Sequence, residues 1–200
     1  MPANKHRFGF PDPDAIIPRE AVDSVDIHKG AYPVEYGPGI GGLFSLTPKE
    51  AVESWEITFT PSIMNIAGLS SFHITDELSG IVSLNHSILN FTVIPLLNMV
   101  LQAEQEEAAE EGEETEIPTS ISYGNALLSF RYTPPAHYLS VDFLAFYDLW
   151  GFDISVGETY LLSDYLTYFI AGGVKWIASI NSRFSNSLYA FGSLYRDIGD

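Results

Sequence analysis

The segment Leu139-Ser140-Val141-Asp142-Phe143 sets three apolar side chains against two polar ones at every second residue. A period of two is the pattern of a strand with one wet face and one dry face. Ala126, Leu128, Phe130 and Tyr132 share a face in the same way, ahead of a break at Pro134-Pro135. Phe152, Ile154 and Val156 oppose Asp153 and Ser155, and Asp148 to Gly151 reads as the turn joining this strand to the one before it. Earlier, Trp55-Glu56-Ile57-Thr58-Phe59-Thr60 alternates until Pro61 and predicts a half-buried strand, and Phe72-His73-Ile74-Thr75 repeats the pattern. Gly80 to Thr92 is rich in β-branched residues and has room for one or two strands. These segments predict a mainly β fold, a sandwich or jelly-roll-like barrel, with an extended N-terminal arm and a few helices.

Beyond Glu158 two patterns compete. Val174, Ile177, Asn181, Phe184, Leu188, Phe191 and Tyr195 recur at helical steps. Yet Asn181-Ser182-Arg183-Phe184-Ser185-Asn186-Ser187 is poor helix material, and strands broken by turns are the other reading, so residues 158–196 are left as helix or strand. Two helices are predicted elsewhere. Thr47-Pro48-Lys49-Glu50 has the hydroxyl, proline and glutamate of a capping box and opens a short helix through Ser54. A second runs from Pro95 to about Glu111, with Gly112 as its stop.

Residues 1–46 read as an arm. Prolines at 2, 11, 13, 18, 33 and 38 and the cluster Gly37-Pro38-Gly39-Ile40-Gly41-Gly42 oppose helix and interior strand. The apolar residues Phe8, Phe10, Ile16, Ile17 and Tyr36 would be wasted in a free tail, so they are expected to anchor the arm on a neighbouring surface. Residues 47–200 then form a single mainly β domain with an acidic insertion at 103–117.

The chain carries a formal net charge of −17, and no Lys or Arg lies between Lys49 and Arg131. Eight glutamates crowd into Glu104–Glu116. In a helix, pairs such as Glu106/Glu110 and Glu107/Glu111 are like charges four apart, each costing a few tenths of a kcal/mol, and a carboxylate-rich C-terminus opposes the helix dipole. The run is therefore expected to be a solvated loop, with the strands on either side of it paired to each other. The acidic balance repels phosphate backbones, so no nucleic-acid partner is expected.

The absence of cysteine removes disulfides, thiolate nucleophiles and Cys-based zinc sites. Gly37–Gly42 formally matches G-x-G-x-x-G, but Pro38 removes a phosphate-binding amide and no helix opens there, so a turn is the better reading. Asp23, Asp26 and His28, or Asp12 and Asp14, lack the alternate oxygen ligands and sharp glycine turn of a calcium loop. His73 is expected at the surface and His86 as a hydrogen-bonded core histidine. Asp142, Asp148, Asp153, Glu158 and Asp164 fall most simply on wet strand faces or in turns. No catalytic residue, metal site or cofactor is assigned.

The N-terminal residues carry no apolar run of the secretory kind. Ile88–Leu101 is too short to span a bilayer as a helix, and Tyr160–Ile180 is interrupted by Asp164, Gly172-Gly173 and Lys175. The leading functional expectation is a structural subunit of a large assembly, a viral or phage virion protein of the capsid, tail or baseplate. It would be assembled in the host cytoplasm and would contact copies of itself or other structural subunits through the arm. A membrane partner is not expected, since no secretory segment is seen, and the first alternative is nonetheless a membrane-associated β-barrel with Tyr160, Tyr165, Tyr168, Trp176 and Tyr189 as interfacial aromatics. The second is a small-ligand-binding barrel or an enzyme, marked by a pocket with converging ionisable groups.

Overall fold

A computed structural model describes residues 18–29, 42–52, 54–111, 115–156, 159–181 and 184–199. After a 3₁₀ turn, Arg19–Ala21, come β1 (Val22–Lys29) and β2 (Gly42–Pro48), which pair antiparallel as a two-stranded sheet. The remaining strands are β3 (Glu56–Pro61), β4 (Asn65–His73), β5 (Leu78–Ser87), β6 (Thr115–Tyr132), β7 (His137–Val156), β8 (Thr159–Asn181) and β9 (Phe184–Gly199). One helix, α1 (Leu89–Glu111), lies between β5 and β6.

The fold is mainly β, and its large sheet follows the order β3-β4-β5-β6-β7-β8-β9 with every neighbouring pair antiparallel. Each strand thus neighbours its predecessor in sequence, whereas the Greek keys of a jelly roll require non-consecutive neighbours. The strands are long: β6, β7, β8 and β9 have 18, 20, 23 and 16 residues, against a usual length of about 5–6. Short connections keep this order. Between β3 and β4, Ser62 Oγ accepts from the amides of Met64 and Asn65. Between β6 and β7, Ala136 takes a left-handed φ of 66°, and the His137 amide donates to the Pro134 carbonyl at 3.1 Å.

Several expectations are corrected. Asp148 to Gly151 is not a turn, because β7 runs straight through it, paired to Ser120–Tyr123 on one side and Asp164–Thr167 on the other. With neighbours on both sides the backbone gains more by staying extended, and the Asp148 carboxylate accepts from the Trp150 indole two residues along the same face, at 2.8 Å. The helical stripe from Val174 to Tyr195 is β8 and β9. Its members fall on both faces of the sheet, since Val174 and Leu188 share one and Ile177 and Phe191 the other. The capping-box helix at Thr47 does not form. Pro48 completes β2 opposite Val22, and the Lys49 amide donates to the Ala21 carbonyl at 2.8 Å, holding the chain extended. Within residues 1–46 the described part holds the 3₁₀ turn, β1 and the first five residues of β2. The arm anchors Phe8, Phe10, Ile16, Ile17 and Tyr36 lie outside the described residues.

The helix predicted to end at about Glu111 does end there, so the loop expected for the glutamate run is corrected for its first part: through Glu111 it is the end of α1, and β6 has begun by Thr115. α1 starts six residues before Pro95, which sits inside the helix. The early turns are anchored by Leu89 and Val93 against Tyr123 and Ile121. Once that apolar part is held, each further residue costs only propagation, which outweighs like-charge terms of a few tenths of a kcal/mol. β5 and β6, which flank α1, pair with each other as expected.

Candidate functional site

Paired residues in a sheet point to the same side, so the register sorts every side chain of the seven strands onto one of two faces. One face carries Ile57 and Phe59 from β3, Ile66 and Phe72 from β4, and Val82 and Leu84 from β5. It continues with Ala126, Leu128 and Phe130 of β6, Val141, Phe143 and Ala145 of β7, Ile170 and Val174 of β8, and Ala190 and Leu194 of β9. The other carries Ser83 and Asn85 of β5, Asn125, Ser129 and Arg131 of β6, Ser140, Asp142 and Asp148 of β7, Lys175 of β8 and Asp197 of β9, with apolar residues between them. We call these the apolar face and the mixed face.

Two rows of paired residues bound the apolar face. One is Leu78, Tyr132, Leu139, Trp176 and Leu188, and the other is His86, Gly124, Tyr147, Tyr168 and Arg196. Along each of the five strands the two rows are eight residues apart, which is about 27 Å of strand at ~3.4 Å per residue. Between them the apolar face has fifteen positions, all Gly, Ala, Val, Leu, Ile or Phe. Gly80 is buried beside the rings of Phe72 and Phe130, the other fourteen positions are not buried, and Phe130, Val141, Phe143, Ile170, Val174 and Leu194 are exposed.

The bounding row at the second end is built around Gly124. A Cβ there would stand 2.6 Å from Tyr147 Cε1 and 3.1 Å from the Asn85 carbonyl oxygen. Without it, the Tyr147 hydroxyl reaches His86 Nδ1 at 2.7 Å. His86 is thus hydrogen-bonded as expected, but it is exposed on this rim and not in a core. His73 is exposed, as expected.

The mixed face is where the molecule is packed. Ala67, Ser71, Ile81, Ser83, Asn85, Ser87, Tyr123, Asn125, Leu127, Ser129, Ser140, Phe146, Asp148 and Phe169 are all buried on it. Three of its serine hydroxyls are bonded locally: Ser129 Oγ donates to Asp142 Oδ1 at 2.5 Å, Ser83 Oγ to the Gly68 carbonyl at 3.3 Å, and Ser87 Oγ accepts from the Tyr123 amide at 2.9 Å. Lys175 stands over the rings of Tyr138 and Tyr189, 5.7 and 5.4 Å from their centroids.

The N-terminal segment covers this face. Ala21, fully buried, packs with Ile81 and Leu127, and Ala51, Leu69 and Leu144 close around them. The Val52 amide donates to Ser71 Oγ at 2.8 Å. Arg131 is the main polar tie, donating from Nη2 to the Pro48 carbonyl and from Nη1 to Glu50, each at 3.0 Å. Glu50 is 89% exposed at its side chain, so the ion pair alone is a minor term, and the bond to the Pro48 carbonyl matters more. Arg131→Met is expected to lower stability by about 1–3 kcal/mol and to speed tryptic cleavage after Lys49. Glu50→Gln should do neither, and guanidine unfolding with timed proteolysis reads both.

A cavity of about 130 Å³ lies between this segment and β3, lined by Lys49, Glu50, Val52, Glu56, Thr58, Leu69, Ser71 and Ile81. Its ionisable residues Lys49, Glu50 and Glu56 are all exposed, so it offers no water-excluded acid–base pair. Among the described residues no group of three His, Asp or Glu is placed to hold a metal ion. Asp142 and Asp148 sit on the mixed face, bound to Ser129 and Trp150. Tyr168 and Trp176 lie in the two rows that bound the apolar face, whereas Tyr165 and Tyr189 point to the mixed face. The side chain of Tyr160 lies outside the described ones.

What the sequence reading missed is the sidedness. Each strand's alternation was legible, but apolar sides were assigned to a core. A usable signal was the polarity of the opposite side, which holds Ser, Asn, Thr and Tyr with few charges. Among the described residues no helix is long and apolar enough to cross a membrane, which says nothing of strands. The chain matches no protein-family model, no curated protein and no solved structure.

Proposed function

We propose that this chain forms part of the wall of a membrane-spanning β-barrel, with its apolar face against lipid and its mixed face toward the lumen. The observation that carries this reading is the uncovered band of fifteen positions without a polar side chain. Water-soluble sheets place such a face inside and their serines and asparagines outside. Here the sides are reversed, as in barrels that cross outer membranes. The dimensions agree. About 27 Å of strand at a tilt near 40° gives about 20 Å of depth, close to the ~25 Å apolar band of such barrels. Tyr132 and Trp176 on one side and Tyr147 and Tyr168 on the other stand where interfacial aromatics belong. The 3₁₀ turn and residues 48–52, which pack on the mixed face, would occupy the lumen side.

A structural subunit of a virion is the second reading, and the same apolar face would then be a contact between subunits. Subunit contacts mix hydrogen-bonding groups into their apolar area, and the fifteen-position band has none on its side chains. Adding the purified, unfolded chain to phosphatidylcholine vesicles separates the two. The expected result is membrane-bound β structure that resists alkaline extraction, with strands tilted about 35–45° by polarised infrared spectroscopy. Regular particles in detergent-free buffer, with no vesicle binding, would reject the barrel and favour the subunit.

A further inference from the structure

We infer that the free edge of β9 is a docking site for an antiparallel membrane strand that the described strands of the large sheet of another copy cannot supply. The inference rests on the barrel reading above. β9 pairs with β8 on one side, and among the described residues no strand pairs with its other side. Along Phe184–Ile198 every residue is exposed, including Phe191 at 83%.

Soluble proteins blunt such an edge with lysine, proline, a bulge or a short strand. β9 has 16 residues, no Lys and no Pro, and from Phe184 to Tyr195 no charge at all. The register with β8 is uninterrupted from Ser179 to Tyr165. In lipid an unpaired row of amides and carbonyls is not tolerated, since each costs several kcal/mol. An edge this long, regular and uncharged is built to be paired.

Strand direction limits what can pair with it. Seven strands in antiparallel succession leave β3 and β9 pointing the same way. Self-closure, or a ring of copies inserted in one orientation, would place β9 beside a β3 in parallel. Pairing β9 with β9 of a second copy restores the antiparallel arrangement but turns that copy upside down in the bilayer. Closure through antiparallel pairs alone, the rule for bacterial single-chain outer-membrane barrels, therefore takes an odd number of further strands between β9 and β3. The one that meets β9 must present apolar side chains beside Leu188, Ala190 and Leu194, and polar or aromatic ones beside Tyr189, Ser193 and Tyr195.

The cysteine-free chain allows a clean test by paired cysteines in phosphatidylcholine vesicles. Ile170→Cys with Leu194→Cys, partners across β8 and β9, should form a disulfide. Phe59→Cys with Ala190→Cys and Ile57→Cys with Leu194→Cys should not, within or between copies, and Ala190→Cys alone should not dimerise. Alternate β9 amides should exchange at least about tenfold faster than the rest. A synthetic fifteen-residue peptide alternating Val and Thr, added during refolding, should slow them. A β3–β9 or β9–β9 disulfide, uniform protection of β9 in the chain alone, or no slowing by the peptide would overturn the inference. Bimane at Phe143→Cys, quenched by spin-labelled lipid, reports separately on the barrel reading. If it stays unquenched that reading falls, while the disulfides and amides still report on the edge.

Discussion

Phe143→Arg should lower the stability of the lipid-embedded chain by about 2–4 kcal/mol, the cost of a cation near the midplane on the lipid side of a barrel. Phe143 lies midway between the bounding rows on β7, with Leu128 and Gly172 as its partners on either side. It is 40% exposed, and in water an exposed Phe replaced by Arg changes stability within about 0.5 kcal/mol. The two readings of the apolar face thus predict different results from one substitution. Ser193→Arg is the control, because Ser193 is exposed on the mixed face of β9, and it should stay within about 0.5 kcal/mol. Reversible urea unfolding in phosphatidylcholine vesicles gives both numbers. An unchanged or higher stability for Phe143→Arg would remove lipid from that face.

Ile81→Ala is expected to cost about 2–5 kcal/mol, the range for emptying a buried aliphatic site. Ile81 is 2% exposed and sits beneath Ala21, next to Leu127 and with Leu69 and Leu144 around it. Two separate backbones hold this cluster, so the gap cannot close by moving one side chain. Its neighbour Val82 points to the apolar face, where, on the barrel reading, lipid chains fill the space that a smaller residue leaves. Val82→Ala should therefore cost about 1 kcal/mol or less, as for a partial transfer term without a cavity. Adjacent residues of similar size would then differ severalfold. Equal costs at 81 and 82 would mean that the two faces meet the same medium. Ile81→Ala should also speed cleavage after Lys49, since the N-terminal hairpin loses part of its seat.

Much of the strand grammar was legible. The alternation at Trp55–Thr60, Ala126–Tyr132 and Leu139–Phe143 marked real strands, and Pro134-Pro135 marked a real turn. Elements that depend on neighbours were not legible. Asp148 to Gly151 has the composition of a turn, yet strands on both sides pair with it and keep it extended. Thr47-Pro48-Lys49-Glu50 has the composition of a helix start, yet Arg131 and Ala21 bind its backbone in an extended form. In the acidic run, local repulsion argued against a helix that distant packing at Leu89 and Val93 sustains.

The candidate site was the least legible part, because a period of two fixes which residues share a side but not what that side meets. From Leu139-Ser140-Val141-Asp142-Phe143 alone, Leu139, Val141 and Phe143 could equally face a core or a bilayer. What the chain's own order of residues determined is the strand type, the pairing of β5 with β6 across α1, and the two-sided chemistry of each strand. Only the tertiary structure decided which side is closed. Ala21 is seated on Ile81 and Leu127, and Leu89 and Val93 of α1 on Tyr123 and Ile121, all on the side where the serines and asparagines are buried, while the Val, Leu and Phe side is left open. The physical reason is that burial is a property of which surfaces come together, and local sequence does not encode the second surface.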